Sequence, residues 1–192
     1  MTLDALLAEA RACRHCAESL PLGPRPTLQA GPHARLMIIG QAPGTKVHDT
    51  GIPFNDPSGD RLRDWLGMDR ASFYDPDRLA IMPMGFCYPG RNPRGGDLPP
   101  RPECAPLWHP RLLPALGAVE LVLLVGLYSQ ARYLGEKRKR TLTETVQAWR
   151  DYAPRFLPLP HPSWRNNAWI KKNPWFEAEL LPHLKARVGD LT

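Results

Sequence analysis

The chain has 192 residues, 43% of them hydrophobic, and 25 Lys+Arg against 19 Asp+Glu give a net charge of +6. That length and apolar share exclude a disordered chain and fit one domain with a sizeable core, and no stretch approaches the roughly 18 consecutive apolar residues of a membrane span. The 23 prolines exceed twice the usual share of about 5%, which excludes a long helical bundle and predicts many rigid loops. The N-terminus, Met1-Thr-Leu-Asp-Ala-Leu-Leu-Ala-Glu-Ala-Arg11, mixes charge with apolar residues, unlike a secretory signal. The expectation is a soluble cytoplasmic protein, a monomer with no membrane partner, whose four cysteines are ligands or free thiols rather than disulfides. The basic balance admits a polyanionic partner.

Residues 3 to 12 read as an amphipathic helix, with Leu3, Leu6, Leu7 and Ala10 on one face, running into Cys13-Arg-His-Cys16 and a Pro-rich connector. Arg35 to Ile39, closed by Gly40, reads as a buried strand, and Gln41 to Asp60 as a long loop. A helix is predicted over Arg61 to Leu66, capped by Ser58 or Asp60, and a strand over Leu79 to Met84 whose end Pro83 weakens. Residues 85 to 106 read as irregular and Trp108 to Leu116 as a helix. Leu121 to Val125 is the clearest strand, followed by a helix over Tyr128 to Leu134, a basic turn and a helix over Thr143 to Tyr152. Arg155 to Leu159 reads as the last strand and Pro174 to Arg187 as a terminal helix. Alternating strands and helices predict an α/β fold with a small parallel sheet, and ligand sites in the loops after the strands.

The first such loop carries Gly40-Gln-Ala-Pro-Gly44, then Gly51-Ile-Pro-Phe54, then Ser58-Gly59. Two glycines and a proline set a tight turn that bares backbone N–H groups. This series resembles motif A of the uracil-DNA glycosylase superfamily, most closely its iron–sulfur members, and His161-Pro-Ser163 resembles the family's H-P-S motif after the last strand. With four cysteines in the same order, the resemblance runs from Cys13 to about Trp164. It implies a three-layer α/β/α sandwich on a mainly parallel four-stranded sheet, as one domain over residues 1–192 with residues 1–34 packed on it as an N-terminal helix and connector.

The cysteines are spaced C-x2-C and C-x16-C, as Cys13, Cys16, Cys87 and Cys104. A C-x2-C pair suits chelation of one centre, and none of the four sits in an apolar run. Spacing alone leaves zinc and an iron–sulfur cluster open. The resemblance implies a 4Fe-4S cluster, with zinc as the alternative, stapling the N-terminal helix to the Cys87–Cys104 loop. Arg91, Arg94 and Arg101 in that loop are candidates for meeting DNA phosphates, with a solvated basic loop as the other reading.

Base excision needs a group that orients water and offsets a cationic sugar, and another that stabilises the departing base, which must first leave the stack. The resemblance gives His161 the role of leaving-base stabiliser. Gly40, Ala42 and the position of Gln41 would frame the water, and Phe54 would stack on the base. Two departures stand out. Gln41 replaces the family's acidic residue, and an amide can orient water but not accept its proton. Asp49 and Asp56 are nearby carboxylates, each read first as a turn residue. Pro83 falls where the family carries a uracil-reading Asn, so uracil specificity does not carry over at that residue. Asn55 and His48 are further candidates for base contact. Ser58, Ser163, Arg165, Lys137, Arg138 and Arg140 are candidates for holding DNA. Trp164 and its basic neighbours fall where the family intrudes into the duplex. The implied reaction is hydrolytic, monofunctional removal of a deaminated base, foremost uracil, from single- or double-stranded DNA. The rival reading, suggested by Gln41 and Pro83, is a nucleic-acid-binding module that keeps the fold without the chemistry.

Overall fold

The fold was described from a computed structural model, which covers residues 2–192. Its strands are β1 (Leu36–Ile39), β2 (Leu79–Ile81), β3 (Leu121–Val125) and β4 (Phe156–Leu159). They form one four-stranded sheet in the order β2-β1-β3-β4, and every pairing is parallel. The register sets Leu36 against both Leu79 and Leu121, and Val125 against Leu159.

A parallel sheet is covered on both faces, which is why these strands read as unbroken apolar runs. Side chains alternate between two cores. Leu36, Ile38, Leu121, Leu123 and Val125 enter one, with Leu62, Trp65 and Leu66 of α3 (Pro57–Leu66) and Leu184 and Val188 of the last helix (Leu181–Leu191). Met37, Ile39, Val122 and Leu124 enter the other, with Leu6, Leu7 and Ala10 of α1 (Leu3–Arg11) and Trp108 and Leu112 of α5 (Cys104–Leu112). Burial of each large side chain contributes roughly 1.5–3 kcal/mol. Helices on both faces make the expected three-layer sandwich.

Several boundaries differ from the sequence reading, for local reasons. The loop after β1 contains α2 (Thr45–Thr50), ended by Gly51 at φ 68, and its six residues are too few to show periodicity. The next helix starts at Pro57 rather than Arg61. Asp56 caps it through a bond from the Gly59 N–H at 2.8 Å, so neither Ser58 nor Asp60 is the cap, and Pro57 takes the first position, where no donor is needed. A one-turn helix, α4 (Arg70–Phe73), was not anticipated. Strand β2 stops at Ile81, ahead of Pro83. Helix α5 begins at Cys104 because Pro106 is tolerated in a first turn, and it gives way to a 3₁₀ turn at Leu113. Helix α6 (Leu127–Leu134) follows β3 directly. The stretch read as one helix over Thr143 to Tyr152 divides into α7 (Leu142–Gln147) and a 3₁₀ turn, Trp149–Tyr152. The C-terminal stretch adds α8 (Asn167–Lys172) and a π-helical turn, Phe176–Leu180, before α9, the Leu181–Leu191 helix.

The sheet edges are finished differently. Beside β2, Gln29 forms an antiparallel bridge with Ile81, at 2.9 and 2.7 Å. On β4, the carbonyls of Arg155 and Leu159 face β3, accepting from Val122 and Gly126. Phe156 and Pro158 therefore present their backbone to the free edge. No helix among the described residues is long and apolar enough to cross a membrane.

Candidate active site

The chain passes from β1 to β2 on one side and then to β3 on the other, so the C-terminal ends of β1 and β3 flank a switch point where open α/β sheets bind ligands. Gly40 and Gln41 leave β1 there, Gly126 leaves β3 and His161 follows β4. The Gly40–Gly44 turn is pinned from the exit of β2. The Met84 N–H donates to the Gly40 carbonyl and the Gly85 N–H to the Gln41 carbonyl, both at 2.9 Å. Buried Gln130 on α6 donates to the carbonyls of Leu124 and Leu159, at 3.2 and 2.9 Å, and so ties the ends of β3 and β4 together.

Phe54 is held in an unusual backbone state, φ 53, the one non-glycine residue with positive φ among those described. Such a conformation costs on the order of 1–3 kcal/mol and persists only where the surroundings impose it. Its ring lies on Gly40, where a Cβ would come within 3.2 Å of the ring, and its edge meets Phe73. His161 is set by the turn after it. The Asn166 side chain donates to the His161 carbonyl at 2.7 Å, and the Ser163 hydroxyl accepts from the Arg165 N–H at 3.3 Å.

These elements line a cavity open to solvent, walled by Gly40, Gln41, Ala42, Phe54, Asp56, Ser58 and His161, with Thr27, Ile81 and Pro83 among its other walls. It adjoins a wider groove of about 1320 Å³ that shares Gln41, Asp56, Ser58 and His161 and adds Arg91, Asp97, Ser163 and Arg165. The outer wall is a hairpin, Gly90 to Leu98, closed by the Arg91–Asp97 bridge. Its Gly96 leaves room for the Arg165 guanidinium, which a Cβ would meet at 2.6 Å.

Burial lowers the proton affinity of His161 below the ordinary imidazole range, and the Asp56 carboxylate offsets this in part. The ring is therefore neutral near pH 7, with one N–H to donate. Asp97 is pushed up by desolvation, against the pull of Arg165 and Arg91. Asp56 combines both roles weighed for it, since it caps α3 with Oδ1 and also lines the cavity. Asp49 does not line the cavity; its carbonyl accepts from Arg25 at 3.0 Å.

Other candidates lie elsewhere. Asn55 accepts from Arg70 at 2.9 Å and does not line the cavity. His48 sits on α2 beside Tyr88, ring centroids 6.3 Å apart, also outside the cavity lining. Lys137, Arg138 and Arg140 line neither space. They follow the far end of α6, about 12 Å of helix from Gly126. The sequence reading missed Thr27 and Asp97. Thr27 sits in a connector without periodicity, and Asp97 reaches the groove only through the hairpin.

Cys13, Cys16, Cys87 and Cys104 line one cavity, between α1, the Pro-rich connector and the start of α5. All four are free thiols, and among the described residues no group of three or more His, Cys, Asp or Glu side chains is gathered closely enough to hold a metal ion. Burial pushes the Cys87 thiol up to about 11 and Cys104 to about 12, and the neighbouring cysteines add to both shifts. The Cys104 sulfur accepts from the Phe86 N–H at 3.3 Å.

The cavity at the strand ends thus brings together the Gly-rich turn, Phe54 and the histidine of the H-P-S motif. The sequence model of the Uracil DNA glycosylase superfamily matches residues 28–185, which takes in every one of these elements, and the chain belongs to that superfamily.

Proposed function

We propose that the protein is a DNA glycosylase that hydrolyses the N-glycosidic bond of a deaminated base, with uracil the foremost candidate. The observation that carries this reading is the convergence of Gln41, Phe54, Asp56 and His161 on one cavity beside a groove bearing Arg91 and Arg165. A base turned out of its stack would enter the cavity against Phe54. As the bond to C1′ breaks, its electron pair passes to the base, and neutral His161 donates a hydrogen bond to the carbonyl oxygen on which charge builds. The Asp56 carboxylate offsets the cationic sugar and is the group at hand to take a proton from the attacking water, while the Gln41 amide orients that water. Among the described residues no lysine lines either space, which supports water rather than an amine as nucleophile. Arg91 and Arg165 would grip phosphates. Trp164, 71% exposed beside Ser163, would enter the duplex where the base has left.

The four-thiol cavity fits a 4Fe-4S cluster in its donor set, and the N–H bond to Cys104 is of the kind cluster sulfurs accept. Bound there, the cluster would supply a structural tie between α1 and the segment from Cys87 to α5. The deciding experiment is an excision panel of single- and double-stranded oligonucleotides bearing uracil, hypoxanthine or xanthine. Release of at least one base, lost in His161→Ala, is expected. DNA binding without release from any substrate would overturn the enzyme reading in favour of a binding module.

A further inference from the structure

We infer that Thr27 reads the inner edge of the bound base, in place of the amide that Pro83 lacks; this rests on the glycosylase reading and specifies how that site recognises its substrate. Of the residues that line the inner cavity but not the groove, Thr27 is the only one with a polar side chain. The others, Gly40 among them, are glycine, proline or apolar side chains. Gln41, Asp56, Ser58 and His161 line both spaces and so stand at the mouth, where the sugar must lie. Thr27 therefore faces the edge of the base remote from the glycosidic bond.

The backbone of the cavity floor is already committed. Pro83 has no N–H, and its carbonyl is held at 3.0 Å by Nε2 of buried His109. The N–H groups of Met84 and Gly85 are spent on the Gly40 and Gln41 carbonyls, and the Met82 N–H on the Ile38 carbonyl. The Ile81 carbonyl and N–H are both used by Gln29. A base edge reaching this floor meets no free backbone donor of that segment.

Thr27 does offer one. Its side chain is 2% exposed, and its backbone N–H is anchored on the Phe86 carbonyl at 2.7 Å. Its hydroxyl donates to the Arg25 carbonyl at 3.2 Å, longer than the usual 2.7–2.8 Å for such a bond, and so is readily redirected. A hydroxyl can donate to a keto oxygen or accept from a ring N–H, whereas an amide presents a fixed donor and acceptor pair. Recognition through one rotatable group is permissive. It favours a base with a keto oxygen on that edge and discriminates weakly among such bases.

The test compares Thr27→Val, which keeps the shape and removes the hydroxyl, with Thr27→Ser, which keeps it. The substrates are oligonucleotides bearing uracil or 2-pyrimidinone, which lacks the keto oxygen on the remote edge, and the readout is single-turnover release. The expected result is about a tenfold slower release of uracil by Thr27→Val, near-normal release by Thr27→Ser, and no further loss for Thr27→Val on 2-pyrimidinone. Equal unfolding midpoints for the three proteins would separate reading from folding. Active wild type with Thr27→Val unimpaired on uracil, or impaired equally on both bases, overturns the assignment to Thr27 alone. Wild type that releases no base from any substrate overturns the glycosylase reading and this assignment with it.

Discussion

The carbonyl oxygen of Phe54 occupies the space of a Gly59 side chain: a Cβ on Gly59 would fall 1.7 Å from it. Two turns of the motif are thus interlocked, since Phe54 can hold φ 53 over Gly40 only if residue 59 has no side chain. Gly59→Ala should displace the ring and slow base release by about a hundredfold, the scale of a 1 Å misplacement. Gly117→Ala, where a Cβ meets nothing within 4 Å, is the control expected to leave the rate unchanged. Single-turnover kinetics on both variants check this.

His161 acts as a neutral donor in the proposed mechanism, and burial lowers its proton affinity. Below its shifted pKa the ring gains a proton and a charge that the cavity disfavours. The rate should therefore stay level as pH falls through the ordinary imidazole range and decline only at lower pH. His161→Ala should cost about a hundredfold and remove its contribution to that decline. The pH–rate profiles of both proteins provide the check.

Asp56 both caps a helix and carries a charge, and one substitution separates the two. Asn caps as well as Asp, so Asp56→Asn should stay within about 0.5 kcal/mol of wild type in stability while losing about a hundredfold in rate. Asp56→Ala should lose both, with about 1 kcal/mol less stability. Urea denaturation alongside kinetics distinguishes these outcomes.

Buried His109 titrates at about 4, against 6.5 for the free side chain, chiefly through desolvation. Between those values the unfolded chain binds a proton that the folded chain does not. Stability should then fall as pH drops from about 6.5 to about 4, by on the order of 3 kcal/mol from this residue. His109→Gln should show a shallower slope over the same window in pH-dependent denaturation. It should also loosen the Pro83 carbonyl that the Nε2–H now holds.

Anaerobically purified protein should be brown, with iron and acid-labile sulfide, if the four-thiol cavity carries the proposed cluster. Cys87→Ser or Cys104→Ser should lose the colour and lower the unfolding temperature. Colourless protein containing zinc would instead favour a zinc staple at the same thiols.

Much of this was legible in the residues, where local chemistry and spacing agree. The apolar runs closed by Gly40 and Gly126 became β1 and β3, because strands buried on both faces have nothing polar to hide. Gly40, Gln41, Phe54 and His161, separated by up to 121 positions, meet at one cavity, as the motif resemblance implied. What escaped depends on tertiary placement. Asp56 looked like a turn residue and is one, but the cap it makes also aims it at the cavity. Thr27 has no local signal, since tertiary contacts bring it to the cavity wall: its N–H on the Phe86 carbonyl and the bridge of its segment to β2. Asn55 lies next to Phe54 in sequence, yet the strained turn sends its side chain to Arg70.

The outer edge of β4 has a further consequence. Pro158, itself buried, turns toward the outer edge of β4 the one backbone position that a proline leaves without a donor, and Gln29 already occupies the opposite margin beside β2. A second chain seeking to extend the sheet finds a missing rung at one border and a closed one at the other. The strand that delivers His161 is thereby shielded from intermolecular pairing. The ladder that strand addition to β4 would need is interrupted by the covalent structure of a single residue.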